Sequence, residues 1–144
     1  MKNLAGKCIL VCGGASGIGA ATVRRLVAEG ARVGIGDLNI EGAESLAAEL
    51  SGEGEVVTWH YDQSDEASIN ALVARATEHF GRLDGVFANV ADIGAVVEET
   101  DLLGNDMALW QRTLNVNLVG TAALLKAALP AMLAQGGGAM VLTS

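Results

Sequence analysis

The chain of 144 residues is poor in aromatic side chains, at 3%, and has one proline, two cysteines and two histidines. So few rings exclude a core built on aromatics, and the 51% hydrophobic share must come mainly from Ala, Val, Leu and Ile. Two cysteines cannot frame a disulfide scaffold, and Cys8 and Cys12 sit on one predicted strand, facing the same side about 13 Å apart, too far to bond to each other. His60 and His79 form no ligand-spaced cluster with them, so no metal site is expected. Cations are scarce, with 9 Lys and Arg against 17 Asp and Glu and a net charge of −8, which argues against nucleic-acid or anionic-membrane partners. The N-terminus lacks a charged-then-apolar signal, and no apolar stretch is expected to reach the roughly 18 residues of a membrane span, so a cytoplasmic protein is expected.

What the chain does contain is an alternation of short apolar segments with helical patterns. Strands are predicted at Lys7–Cys12, Arg32–Gly36, Glu55–His60, Asp84–Ala88 and Ala139–Thr143. Between them, Val23, Leu26, Val27 and Gly30, then Ala43, Leu46, Ala47 and Leu50, then Ile69, Leu72, Val73, Ala76 and Phe80 recur at helical spacing. Ser64 is the expected N-cap of the third helix, with Asp65 and Glu66 in its first turn. This order is the signature of an α/β fold with a parallel, doubly wound sheet. There is no internal repeat and no linker, so residues 1–144 read as one domain, which can bury roughly 70% of its unfolded surface.

The run Cys12-Gly13-Gly14-Ala15-Ser16-Gly17-Ile18-Gly19 joins the first strand to the first helix. Glycines there let backbone N–H groups approach an anion at the positive end of a helix dipole, although a plain strand-to-helix turn uses glycine too. The second strand ends at Asp37, eighteen residues after Gly19, where a dinucleotide fold sets an acid against the adenosine ribose. An isolated Asp is more often a cap or turn residue, but glycine loop, helix, strand and terminal acid occur here in the required order.

The spacing Gly13-x-x-x-Gly17-x-Gly19 resembles the short-chain dehydrogenase/reductase family of the classical type, and further segments match along the chain. Asp62 closes the third strand, Val86-Phe87-Ala88-Asn89-Val90-Ala91 is similar to the family's Asn-Asn-Ala-Gly stretch, and Asn117 matches the helix asparagine of its catalytic tetrad. The resemblance implies a Rossmann-type sheet in the order 3-2-1-4-5, ending here after the fifth strand. It also implies hydride transfer between a small-molecule alcohol or ketone and a nicotinamide. Its implied cofactor residues are Gly13, Ala15, Ser16, Gly17, Ile18, Gly19, Asp37, Leu38, Asp62, Gln63, Asn89, Val90 and Ala91. NAD is expected over NADP, because Asp37 accepts hydrogen bonds from ribose hydroxyls but repels a 2′-phosphate, and because Ser16 is no cation.

Three departures stand against the family pattern. Cys12 replaces a usual Thr, and Val90 and Ala91 replace Ala and Gly, which is expected to crowd the backbone beside the nicotinamide ribose. The chain reaches only Ser144, which aligns just before the catalytic serine, and Tyr61, the one tyrosine, is followed by Asp65 rather than by a lysine in Tyr-x-x-x-Lys. The catalytic Ser, Tyr and Lys would then lie in sequence beyond residue 144. Ala139–Thr143 reads as a buried, uncharged strand without edge protection, which also points to a longer enzyme. The alternative is a non-catalytic dinucleotide-binding module.

Within the helix expected around Asn105–Gln135, only Asn117, Thr121 and Lys126 interrupt apolar or small residues from Val116 to Leu129, so more than one face must be covered, one by the sheet and another, as the resemblance implies, by a second subunit in a homo-oligomer, a dimer or tetramer. Pro130 is expected near the helix end. Asn117 either stabilises a local kink or, as the resemblance implies, supports a water in a proton relay. The acidic loop Asp92–Asp106, with Glu98, Glu99 and Asp101, is expected to border the substrate cleft without identifying the substrate.

Overall fold

The computed structural model describes residues 4–92, 101 and 103–143. Five parallel strands, β1 (Cys8–Cys12), β2 (Arg32–Asp37), β3 (Val56–His60), β4 (Gly85–Ala88) and β5 (Ala139–Leu142), form one sheet in the order β3-β2-β1-β4-β5. The helices are α1 (Gly17–Ala28), α2 (Ile40–Glu49), α3 (Glu66–Phe80), α4 (Met107–Leu114) and α5 (Thr121–Ala134), the last two joined without a break by a π-helical segment, Asn115–Gly120. The expected order 3-2-1-4-5 is therefore the observed one, and the sheet is of the Rossmann type.

Side chains alternate across β1, and that alternation builds two cores. Cys8, Leu10 and Cys12 meet Ile69, Leu72, Ala76 and Phe80 of α3 and Leu124, Ala128 and Met132 of α5. On the opposite face Val11, Val33 and Ile35 meet Val23 and Val27 of α1 and Ala43 and Leu46 of α2. Most residues of the predicted stripes are buried, Leu26 and Ala47 being half-buried, and the two free cysteines lie in the same core, as expected from their spacing. Gly34 and Gly36 admit helices and rings close to the sheet: a Cβ on Gly36 would stand 2.6 Å from Leu72 Cδ2, and one on Gly34 2.6 Å from Trp59 Cζ3.

Several expectations need correction. Helix α1 stops at Ala28, and Gly30 leaves the stripe at φ +82 with its N–H bonded to Val27 O at 2.8 Å, because a left-handed residue closes the turn into β2. The N-cap of α3 is Asp65, whose Oδ1 accepts from Ala67 N at 2.9 Å, while the Ser64 hydroxyl is spent on Asp62 Oδ1 at 2.7 Å. Pro130 stands one turn before the end of α5 at Ala134, near the helix end as expected. Because the π-helical segment carries the helix through Asn115 and Asn117, Met107–Ala134 is one run of 28 residues, long and apolar enough by length and composition to cross a membrane. In the structure Leu124, Ala128 and Met132 of that run pack against the sheet. Strand β5 is the sheet edge, and Val141 and Leu142 are exposed rather than buried, since among the described residues nothing covers its outer side. Glu98 and Glu99 lie outside the described residues.

At the other end of the sheet Asp84 joins β1 to β4. Its carboxylate accepts from Arg82 Nη2 at 2.6 Å, Cys8 N at 3.0 Å and Lys7 Nζ at 3.1 Å. Burial pushes this carboxyl up, but those three donors outweigh it and hold it at about 2. The folded chain thus binds the Asp84 proton less readily than the unfolded chain, so the stabilisation is full above about pH 4 and is lost as pH falls towards about 2. Asp84→Asn is expected to lower stability at neutral pH by about 1–2 kcal/mol, with the deficit shrinking in acid, as urea titrations across that pH range would record. Asp65→Ala removes the α3 cap and should cost about 1 kcal/mol by the same measurement.

Candidate functional site

A cleft of about 710 Å³ opens along the carboxyl ends of β1 to β4, the crevice where open parallel sheets take their ligands. Its described lining comprises Gly13, Ser16, Gly17, Ile18, Asp37, Leu38, Tyr61, Asp62, Gln63, Ser64, Asn89, Val90, Ala91, Asp92, Arg112, Val116 and Thr143. The volume falls in the usual range for a bound cofactor, roughly 300–1,000 Å³.

The glycine loop depends on close approaches at Gly13 and Gly19 and on a left-handed backbone at Gly17. Gly13, at φ +75, donates to Gly36 O at 2.8 Å, and a Cβ there would press on Asn89 O at 3.0 Å. Gly17 opens α1 at φ +51, and a Cβ on Gly19 would overlap Gly13 O. Helices α2, α3 and α4 begin under side-chain caps from Asn39, Asp65 and Asp106, whereas Ser16 makes no such bond at the start of α1. The first-turn N–H groups of α1 therefore have no side-chain acceptor, at the helix end that lines the cleft. An uncapped positive helix end behind a loop that side chains would fill fits a pyrophosphate.

At one end of the cleft Asp37 accepts from Ala15 N with Oδ2 and from Asn39 N with Oδ1, both at 2.9 Å. Each carboxylate oxygen keeps acceptor capacity for a ligand hydroxyl. Ala15 and Gly19 are outside the cleft lining: Ala15 orients Asp37, and Gly19 packs beneath the loop. Ile18 and Leu38 expose apolar side chains at the rim. Both the hydroxyl and the N–H of Ser64 donate to Asp62 Oδ1, which holds that carboxyl below its usual range. Cys12 is fully buried below the loop, and burial, with the Asp37 charge nearby, pushes its thiol pKa up.

At the other end Asn89 Nδ2 donates to Gly13 O at 3.2 Å, and Val90 Cγ2 lies 3.1 Å from where a Gly13 Cβ would be. Asn117 is not part of the lining. Its Oδ1 accepts from Asp92 N at 2.7 Å, and Asp92 in turn takes Arg112 Nε at 2.7 Å. Asn117 lies in the π-helical segment, but its side-chain oxygen bonds Asp92 N rather than the helix backbone, so it does not stabilise a kink in the way one of the two alternatives supposed. Gln63 reaches the cleft, but its side chain is turned into that helix, with Nε2 donating to Val116 O at 2.8 Å. Tyr61 is buried with its hydroxyl on Gln63 Oε1 at 3.0 Å, and burial pushes its pKa up, so it offers no proton to the cleft. Arg112, Val116 and Thr143 escaped the sequence reading because they come from distant elements and carry no local motif.

The family model described as short chain dehydrogenase matches residues 7–144. D-threitol dehydrogenase of Mycolicibacterium smegmatis is 41% identical over 140 residues, which are 96% of this chain and 52% of that protein. Cis-4-hydroxycyclohexanecarboxylate dehydrogenase of Sinomonas cyclohexanicum is 43% identical over 92% of this chain and 52% of its own length. Among solved structures, levodione reductase superposes with a TM-score of 0.92 at 36% identity, covering 99% of this chain and 55% of that one. NAD+-bound xylitol dehydrogenase gives 0.93 at 28% identity, with 99% and 54% covered. The chain thus spans about half the length of the relatives it matches. With the matching model, the sheet order and the glycine loop in agreement, this chain belongs to the short-chain dehydrogenase family.

Proposed function

We propose that residues 1–144 are the NAD-binding portion, a single domain, of a cytoplasmic dehydrogenase acting on a small alcohol or ketone. The observation that carries this reading is Asp37, a carboxylate at the end of β2, on the cleft and tied to the glycine loop through Ala15 N. Its negative charge favours ribose hydroxyls and opposes a 2′-phosphate. The one cation lining the described cleft, Arg112, is engaged by Asp92. When bound, NAD supplies the hydride acceptor. The chain's own residues would hold its pyrophosphate at Gly13–Gly19, its adenosine between Asp37, Leu38 and Asp62, and its nicotinamide ribose beside Asn89, Val90 and Ala91.

Asn117 is read as the relay asparagine, set beside Asp92 at the nicotinamide end. No residue of this chain is assigned proton donation, and the Ser, Tyr and Lys of the tetrad are placed in sequence beyond residue 144. A second reading, a dinucleotide-binding module without catalysis, draws on the burial of Tyr61, the sole tyrosine. A homo-oligomer is proposed through the outer face of the run from α4 through the π-helical segment to α5, where Met107, Trp110, Leu114, Leu118, Leu129 and Leu133 are exposed.

Fluorescence titration should show NADH bound in preference to NADPH, and Asp37→Ala should reduce that preference roughly 10- to 100-fold, the value of hydrogen bonds to a charged acceptor. Equal loss for both cofactors would remove Asp37 from the ribose. Sedimentation should find a dimer or tetramer, and Leu118→Asp is expected to shift it to monomer while leaving NADH affinity intact; an unchanged mass would place the interface elsewhere.

A further inference from the structure

We propose that Gln63 is a positioning residue that clamps the π-helical segment between α4 and α5 and so fixes Asn117 against Asp92. The relay role of Asn117 rests on the function proposed above; the clamp itself stands on the geometry of the chain.

A π-helical turn replaces i→i+4 bonds with i→i+5 bonds, is rare, and persists where neighbours hold it. Here the neighbour is Gln63, only 3% exposed. Its Nε2 donates both to Val116 O at 2.8 Å and to Thr121 Oγ1 at 3.1 Å, and its Oε1 accepts from Tyr61 Oη at 3.0 Å. The orientation of the amide follows from chemistry, because a backbone carbonyl only accepts and must face the NH2 group. The Thr121 hydroxyl passes the chain on by donating to Asn117 O at 2.9 Å. One buried amide thus grips the Val116 carbonyl directly and the Asn117 carbonyl through the Thr121 hydroxyl.

Gly120 completes the clamp. A Cβ there would overlap Gln63 O and would lie 2.7 Å from Gln63 Cγ, so the helix can approach this loop only through glycine. Asn115 Nδ2 adds a bond to Ser64 O at 3.4 Å, next in sequence to Gln63. With the turn held in this way, Asn117 Oδ1 meets the Asp92 N–H at 2.7 Å. The loop that follows β3 therefore governs a residue brought in by a helix more than fifty positions later.

The test compares amide hydrogen exchange and NADH titration for the parent chain, Gln63→Met and Thr121→Ala. Exchange at Asp92 and across residues 115–121 should speed up about five- to tenfold in both variants, the scale of one lost hydrogen bond. Amides of Leu10 and Val86 should keep their rates, Thr121→Ala, outside the cleft lining, should leave NADH affinity within about twofold, and Thr121→Ser should restore the parent pattern. A rise at all amides together would reduce Gln63 to general stability and overturn the proposal. So would a tenfold loss of NADH affinity with Asp92 unchanged, which would make the amide a cofactor ligand. If Gln63→Met does not fold, Thr121→Ala and Thr121→Ser decide the matter. If the parent chain binds no NADH, the proposed function fails while the exchange comparison still decides the clamp.

Discussion

The contact between the first turn of α1 and the loop leaving β1 is the constraint on which the rest depends. Gly19 lies so close to Gly13 O that no side chain fits between them, and Gly13 itself leaves no room for a Cβ beside Asn89 and Val90, which follow β4. Helix, loop and two neighbouring strands meet there without intervening side chains. The uncapped helix end is left at the cleft as a consequence, and its N–H groups are what an anion would need. Replacing any of these glycines would either fill the cradle or push α1 away from the sheet.

Around this contact, polar side chains act first on the backbone and only then on a ligand. Asp37 orders the loop through Ala15 N, Asn89 ties β4 to Gly13, and Asp62 is itself ordered by Ser64. Gln63 extends the same principle to the far wall by gripping Val116 and Thr121. Such cross-ties hold the cleft open in one geometry before anything enters it, which lowers the ordering cost of binding. The buried Tyr61 belongs to this framework, since its hydroxyl is fixed on Gln63.

The long apolar run from Met107 to Ala134 shows where pattern reading reaches its limit. Its inner residues, Leu124, Ala128 and Met132, are satisfied by the sheet and α3, but its outer leucines are not. The sequence showed a helix with two faces that needed cover, without showing that its bonding turns π-helical over Asn115–Gly120, where Gln63 from the loop after β3 grips it. Likewise Ser64 has the composition of a cap, yet the neighbouring Asp62 captures its hydroxyl and leaves capping to Asp65.

From sequence alone, the strand order's basis, the helix stripes, the glycine loop and the acid at the end of β2 were legible, because period, glycine spacing and chain order act over a few residues at a time. Tertiary structure alone decided that Gln63 faces a helix, that Asn117 acts on Asp92 from outside the cleft lining, that Arg112 pairs with Asp92, and that β5 lies open at the edge. Those outcomes depend on hydrogen bonds and packing between segments tens of residues apart, and a local pattern carries no record of which distant donor will meet which acceptor.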